Sequence, residues 1–306
     1  MIKKNLKSTD ADKVFFIGVD IGKTKIAAGI IDNHGNVIFK KELPTNMKEG
    51  GLVIVDQCKT LIRQLISESS FFIKAIGIGS SGVIDYNEGL IISSGSIPNW
   101  NKIPIQHLIQ KEFNIYTRVD NDVYVAALGE HIFGAGINRK VSVYMTISTG
   151  VGIAIIQNNK IWHGVHNLSG QIAHLPLFSN ETVNDVISGK GISKKGSIKL
   201  GKELSTNEIF RRRSDDQENT KEIIDNAIQG SSLIISWLSN TVDPELFILG
   251  GSVILKEDTF FNEILSESKK YLAKYNSQLP EGPIIVKAKL GSNSGIVGAA
   301  ALVMND

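Results

Sequence analysis

Twice along this chain an apolar strand runs into a turn of small residues and doubles back as a hairpin, and that repeated unit limits the folds open to it. Residues 14–19 lead into Asp20-Ile21-Gly22, residues 26–31 return, and Asp32-Asn33-His34-Gly35 turns the chain again toward Lys40. Residues 141–147 lead into Ser148-Thr149-Gly150, residues 152–156 return, and Gln157-Asn158-Asn159 turns into a strand at 160–162. Short apolar runs bounded by Gly, Asp and Asn read as strands. The likeness is one of pattern more than identity, so alone it supports duplication only weakly. Elsewhere helical and extended patterns alternate. Leu52, Val55, Leu61, Leu65 and Ile66 fall at helical spacing within 51–68. Strands are expected at 75–78, around Val83 and Ile91, and at 116–119, 246–249 and 284–288. Helices are expected at 105–113, 123–131, 256–275 and 295–304, and the polar stretch 211–220 reads as a loop or a solvated helix end. This alternation predicts an α/β protein with two sheets.

Charge and cysteine content narrow the functions. Thirty-three basic residues against 31 acidic ones leave a net charge of +2, with no excess to neutralise phosphates along a duplex. Nucleic-acid binding is therefore not expected. A single cysteine, Cys58, can form neither an internal disulfide nor the thiolate cage of a structural zinc site, which fits a reduced, cytoplasmic chain. Residues 1–13 are polar and basic, a solvated leader without the apolar core of a signal peptide. The most apolar long run, 141–156, is interrupted by Ser142, Thr146, Ser148, Thr149 and two glycines, and is too short and polar to span a bilayer. Glycine is in excess, 29 of 306 residues or about 9% against a usual ~7%. Because glycine costs backbone entropy, an excess directs attention to tight turns and to close approach of backbone to a ligand.

Three glycine turns are candidates for such an approach. In Asp20-Ile21-Gly22-Lys23-Thr24-Lys25 the glycine permits a sharp turn, and the Thr24 hydroxyl and backbone N–H groups can face an anion. Ser148-Thr149-Gly150-Val151-Gly152 is built alike. Two such hairpins would clasp a polyphosphate, with Asp20 placed to organise magnesium. Hairpins also use these residues simply to turn, and for either segment alone that is the better reading. Leu249-Gly250-Gly251-Ser252 ends a strand where a flat base could lie on bare backbone. By contrast, Gly77-Ile78-Gly79-Ser80-Ser81-Gly82 fits the dinucleotide pattern G-x-G-x-x-G but is followed by a strand and turn, with no acidic residue about 20 positions on. It is rejected as a Rossmann site.

Asp120-Asn121-Asp122 joins a strand to a helix. Such residues cap helices, but capping needs only one of them. A carboxylate beside an amide is the minimum for removing a proton from a bound alcohol, with Asn121 holding a neighbouring hydroxyl. Asn99 and Trp100 form a second group, a polar amide and an apolar ring face suited to a sugar; a structural tryptophan is equally common. His174, in Gly170-Gln171-Ile172-Ala173-His174, is by itself more often structural, although it closely follows the second hairpin. No serine shows a G-x-S-x-G elbow, so a serine hydrolase is not supported.

Together these segments resemble the ROK family of sugar kinases and sugar-responsive repressors, within the actin-like ATPase superfamily. Asp20-Ile21-Gly22-Lys23-Thr24-Lys25-Ile26 resembles the D-I-G-G-T-K-I phosphate loop, Gly79 to Asp85 the G-x-P-G-x-x-D segment, and Pro98-Asn99-Trp100 the P-N-x turn. Asn121-Asp122 resembles the N-D carrying the base, and Ser148 to Gly152 the second phosphate loop. Asp243-Pro244-Glu245, Leu249-Gly250-Gly251 and Gly295 to Ala300 resemble the C-terminal signatures. The resemblance implies a two-lobed actin-like, ribonuclease H-like α/β fold, with ATP and Mg2+ bound between the lobes. It divides the chain into a lobe of residues 13–121 plus 291–306 and a larger one of 122–290. Asp122 would deprotonate a sugar hydroxyl, usually that on C6. Gly82, Asn99, Asn121, Gln171, His174 and Asn184 would contact the sugar; Asp20, Gly22, Thr24, Lys25, Thr149, Gly150, Gly152, Gly250 and Gly251 would contact the nucleotide, Asp20 through Mg2+. A homodimer follows from the same analogy.

Departures from the family pattern qualify that expectation. Lys23 stands where a second glycine is usual. Gly170-Gln171-Ile172-Ala173-His174 replaces G-E-x-G-H, the C-x-C-G-x-x-G-C-x-E zinc loop is missing, and Asn184 replaces the glutamate that follows it. Zinc is therefore not expected, and two sugar-contacting carboxylates become amides, which both donate and accept. An ATP-dependent sugar kinase is the leading reading. A catalytically impaired sugar sensor of the same fold is the alternative. A repressor is disfavoured, because about 13 residues precede the first strand where a DNA-binding domain needs some sixty.

Overall fold

The computed structural model describes residues 14–95, 97–213, 220–275 and 283–304; the leader, and residues 214–219 of the polar stretch, lie outside them. The chain forms two compact units, Met1–Gly129 with Ser292–Asp306, and Glu130–Gly291.

In the first unit β1 (Phe15–Ile21), β2 (Lys25–Asp32) and β3 (Val37–Pro44) form an antiparallel meander, followed by α1 (Gly51–Glu68). Next come β4 (Ile73–Ser80), a small hairpin of β5 (Val83–Asp85) and β6 (Leu90–Ser93), α2 (Ile105–Phe113), β7 (Tyr116–Asn121) and α3 (Asp122–Phe133). The sheet order is β3-β2-β1-β4-β7, with β4 parallel to both β1 and β7. β1, β2 and β4 are apolar along nearly their whole length because both faces are covered, whereas the edge strand β3 is largely exposed. The buried face of α1 (Ile54, Val55, Cys58, Leu61, Ile62, Leu65) completes a core with Ile17, Val19 and Ile78. Burial pushes the Cys58 thiol up to about 12, so this lone cysteine is a small core residue.

The second unit repeats the plan. β8 (Val141–Ile147), β9 (Val151–Gln157) and β10 (Lys160–Ile161) form a meander. A small hairpin of β11 (Pro176–Phe178) and β12 (Glu181–Thr182) follows, which the sequence reading lacked. Then come α4 (Val183–Ile187), α5 (Gly189–Leu200), α6 (Thr206–Arg212), α7 (Lys221–Thr241), β13 (Leu246–Gly250), α8 (Ser252–Lys256), α9 (Asp258–Tyr275) and β14 (Ile284–Lys287). The sheet order β10-β9-β8-β13-β14 has the same sense as the first: an antiparallel meander, then two parallel strands. Matching strand order turns a weak sequence echo into a structural repeat. The helix expected over 256–275 is α9, beginning at Asp258, and the short α8 that precedes it across Glu257 was not expected. Glu130, fully buried, accepts N–H bonds from Ala135 (3.1 Å), Lys289 (2.9 Å) and Leu290 (2.7 Å); this carboxylate is spent on structure.

The last helix, α10 (Ser294–Met304), belongs to the first unit and lies across β1 and β4 with backbones touching. A Cβ at Gly18 would sit 1.8 Å from the Ile296 carbonyl oxygen, and one at Gly77 1.6 Å from that of Ala299. On the other side of the contact, a Cβ at Gly298 would sit 1.7 Å from the Val125 carbonyl oxygen of α3. Part of the glycine excess is therefore not at ligand-facing turns. It serves close packing of helix on sheet. The rejected dinucleotide pattern is explained likewise, since Gly77 makes room for α10 and Gly79 for Val125.

Candidate active site

In the first unit the register aligns the carboxyl ends of three strands: Asp20 pairs with Gly79, Gly79 with Asp120, and Ser80 with Asn121. Ligands of open α/β sheets bind at such ends. The loop after β1 is pinned from within and from β3's end: Gly22 N–H donates to Lys25 O (3.0 Å), Thr45 Oγ1 to Gly22 O (2.7 Å) and Thr45 N–H to Thr24 O (3.1 Å). The N–H groups of Lys23 and Thr24 have no partner among the described residues, and both residues are exposed. Lys25, expected at the nucleotide, forms an exposed ion pair with Glu42 (2.8 Å), an interaction worth little in water.

Asn121 closes β7 and starts α3. Its Oδ1 accepts the N–H groups of Val123 (2.9 Å) and Tyr124 (3.4 Å), and its Nδ2 donates to Gly82 O (2.9 Å). The capping role is thus filled by Asn121, and one amide hydrogen remains for a hydroxyl. Asp122 accepts the Val123 N–H (2.9 Å) and keeps its other oxygen uncommitted among the described residues. Burial pushes the Asp122 carboxyl up to about 6. Asp20 is pushed up to about 7, by burial first and then by the charge of Asp122, with Lys25 and Lys40 pulling partly against it. Gly295, in the first turn of α10, lies so close to Asp20 that a Cβ there would be 2.4 Å from Oδ2.

Two neighbouring desolvated carboxylates fit a divalent cation, which would relieve both penalties at once. No group of three or more His, Cys, Asp or Glu residues suited to a metal exists among the described residues. Asp20 and Asp122 are thus the carboxylates that a divalent cation would meet here, any further donors having to come from phosphate and water.

The acceptor candidates of this unit separate into two kinds. Gly82 adopts φ 118°, and Asn99 φ 54°, exposed in its loop. Of the two roles open to Trp100 the structure has the structural one: it is 1% exposed, packed in the core, and its Nε1–H donates to the buried Ser80 Oγ (3.0 Å). Its ring is not offered to a ligand.

In the second unit the loop after β8 has the construction of the first. Ser148 N–H donates to Gly150 O (2.9 Å), while the N–H groups of Thr149 and Gly150 lack partners among the described residues. Gly152 lies in β9 opposite Thr146. Gly250 and Gly251 have packing reasons of their own: a Cβ at Gly250 would be 2.3 Å from the Tyr144 hydroxyl, and one at Gly251, where φ is 90°, 2.4 Å from the Ile147 carbonyl oxygen. Gln171 and His174 are exposed. Asn184 Oδ1 accepts the Val151 N–H (2.8 Å), so its side chain lies on the loop. A cavity of about 380 Å³ opens beside Ser148 and Thr149, bounded also by Lys190, Ser193, Asn207 and Glu257. Its walls come from α5, α6 and α8 as well as the loop, and sequence reading found only the loop; the scattered hydroxyls and lysines carry no motif.

A family model described as the ROK family matches residues 16–306. A glucokinase of Halalkalibacterium halodurans is 27% identical, the match covering 94% of each chain. A xylose repressor of Bacillus spizizenii is 26% identical, over 95% of this chain and 77% of the repressor. The crystal structure of a ROK hexokinase from Thermus thermophilus superposes with a TM-score of 0.83 at 26% identity, covering 94% of this chain and 97% of that one.

Proposed function

The chain belongs to the ROK family, with the family's actin-like ATPase fold, and on that premise we propose that it is an ATP-dependent sugar kinase acting on a hydroxyl, at C6, of a hexose, aminosugar or glycoside. The observation that carries this reading is Asp122, a desolvated carboxylate at the start of α3 with Asp20 beside it and Asn121 capping the helix. Kinase relatives and the two loops with paired open N–H groups support it.

Asp122 accepts the proton of the sugar hydroxyl as its oxygen bonds to the γ-phosphorus; the bond from the γ-phosphorus to the bridging oxygen breaks, leaving ADP and the sugar phosphate. Asn121 and Asn99 orient the acceptor. Asp20 would hold Mg2+, which would supply charge neutralisation at the phosphates. The open N–H groups of Lys23 and Thr24, and of Thr149 and Gly150, bind phosphate oxygens.

The base must be ionised to act, so kcat/KM for the sugar is expected to rise with pH and level off above about 6; a flat profile between pH 5 and 7 would count against Asp122. The sign for stability is opposite. Both carboxyls have folded values above the ordinary 3.8, so the ligand-free protein binds extra protons in that window and loses stability as pH rises toward about 7.

The deciding assay is ADP release across hexoses, aminosugars and glycosides. Turnover with at least one of them is expected. Saturable sugar binding without turnover on any would select the second reading, a sugar sensor, which the amides Gln171 and Asn184 favour.

A further inference from the structure

Asn184 stands at a junction of three segments in the second unit. Its backbone N–H donates to Ala173 O (3.0 Å), within the segment that carries Gln171 and His174. Its carbonyl accepts from Ser188 N–H (3.3 Å) and Oγ (2.6 Å). Ser188 in turn caps α5, its Oγ accepting the Gly191 N–H (3.0 Å). The first residues of α5 then grip the loop: Gly189 N–H donates to Ser148 O (2.8 Å) and Lys190 N–H to Thr149 O (3.4 Å). The loop is thus held by α5 through Ser148 and Thr149, and through Val151 by the Asn184 side chain.

The orientation of that amide is fixed by chemistry. Val151 N–H can only donate, so the oxygen of Asn184 must face it and Nδ2 must point away. The same Oδ1 lies 3.5 Å from the place a Cβ of Gly150 would occupy. With the N–H groups of Ser148 and Val151 consumed, Thr149 and Gly150 are left as the open pair at the loop's tip. A neutral acceptor organises these donors without placing negative charge beside them; a carboxylate would oppose any anion they bind.

We propose that Asn184 is a positioning residue for the phosphate-binding loop Ser148 to Gly152, acting on the phosphoryl donor and not on the acceptor sugar. The proposal rests on the kinase reading. It also separates two residues that the resemblance grouped together: Gln171 is exposed and available to an acceptor, whereas the Asn184 side chain is engaged with the loop.

Two substitutions test it, read by direct binding rather than turnover. N184A removes the acceptor, and N184D keeps an acceptor for Val151 N–H but adds charge. Calorimetric titration with MgATP, with adenosine and with the sugar found by the turnover assay is made on the wild type and both variants. N184D is expected to weaken MgATP binding about 10-fold, with the loss shrinking as salt is raised, and N184A to weaken it several-fold. Adenosine and sugar affinities should stay within about twofold of wild type. A change in sugar affinity with MgATP binding intact would overturn the proposal, as would N184D matching wild type for MgATP. N184D retains the hydrogen bond and remains informative if N184A does not fold. Failure of wild type to bind MgATP at all would remove the kinase reading itself, an outcome distinct from any difference between variants.

Discussion

Asp122→Asn is expected to lower kcat about 10²- to 10⁴-fold, the usual contribution of a positioned general base. The amide has the carboxylate's shape and can still accept the Val123 N–H at 2.9 Å, so the start of α3 should be undisturbed. What is lost is the capacity to take a proton. Dissociation constants for MgATP and sugar should change little, which separates loss of chemistry from loss of binding. A second consequence follows from the electrostatics. The Asp122 charge helps push Asp20 up, so neutralising it should lower the Asp20 value and make the ligand-free protein more stable above neutral pH. Reduced turnover with raised stability is a signature that simple misfolding cannot produce. Near-normal kcat would remove Asp122 as the base.

Gly77→Ala is expected to cost stability on a comparable scale, by about 3–5 kcal/mol, beyond ordinary overpacking because the obstruction is backbone. The new Cβ would lie 1.6 Å from the Ala299 carbonyl oxygen, and neither β4 nor α10 can yield without breaking its own hydrogen bonds. Urea unfolding measures this as a shift in midpoint, with Gly95→Ala as the control because nothing lies within 4 Å of its added Cβ. An unchanged midpoint for Gly77→Ala would mean that α10 does not lie against this sheet in solution.

Local patterns were the legible part of this protein. The hairpin turns at Asp20 to Gly22 and Ser148 to Gly150 lie where small residues interrupt apolar runs, and Asp120-Asn121-Asp122 does mark the change from strand to helix. Long-range relations were less legible. Glycine at 18, 77 and 298 looks the same in sequence whether it meets a ligand or another backbone, and here it meets backbone. Trp100 looked equally suited to sugar or core; its partner Ser80 lies 20 residues away at the end of β4. The cavity beside Thr149 draws on Ser193, Asn207 and Glu257, which no spacing rule connects. The break between α8 and α9 at Glu257 has no glycine or proline to announce it.

The placement of α10 also bears on the order in which the chain can fold as it is made. Glu130–Gly291 is one unbroken stretch and holds all of its own sheet, so it can reach its final form as soon as it has emerged. Strands β1 to β7 are synthesised earlier but receive their covering helix only with residues 294–304. Until then β1 and β4 present an apolar surface whose glycines are shaped for backbone that does not yet exist. Begun before the second unit and finished after it, that sheet is the part of these two units most in need of protection from aggregation while the chain is made.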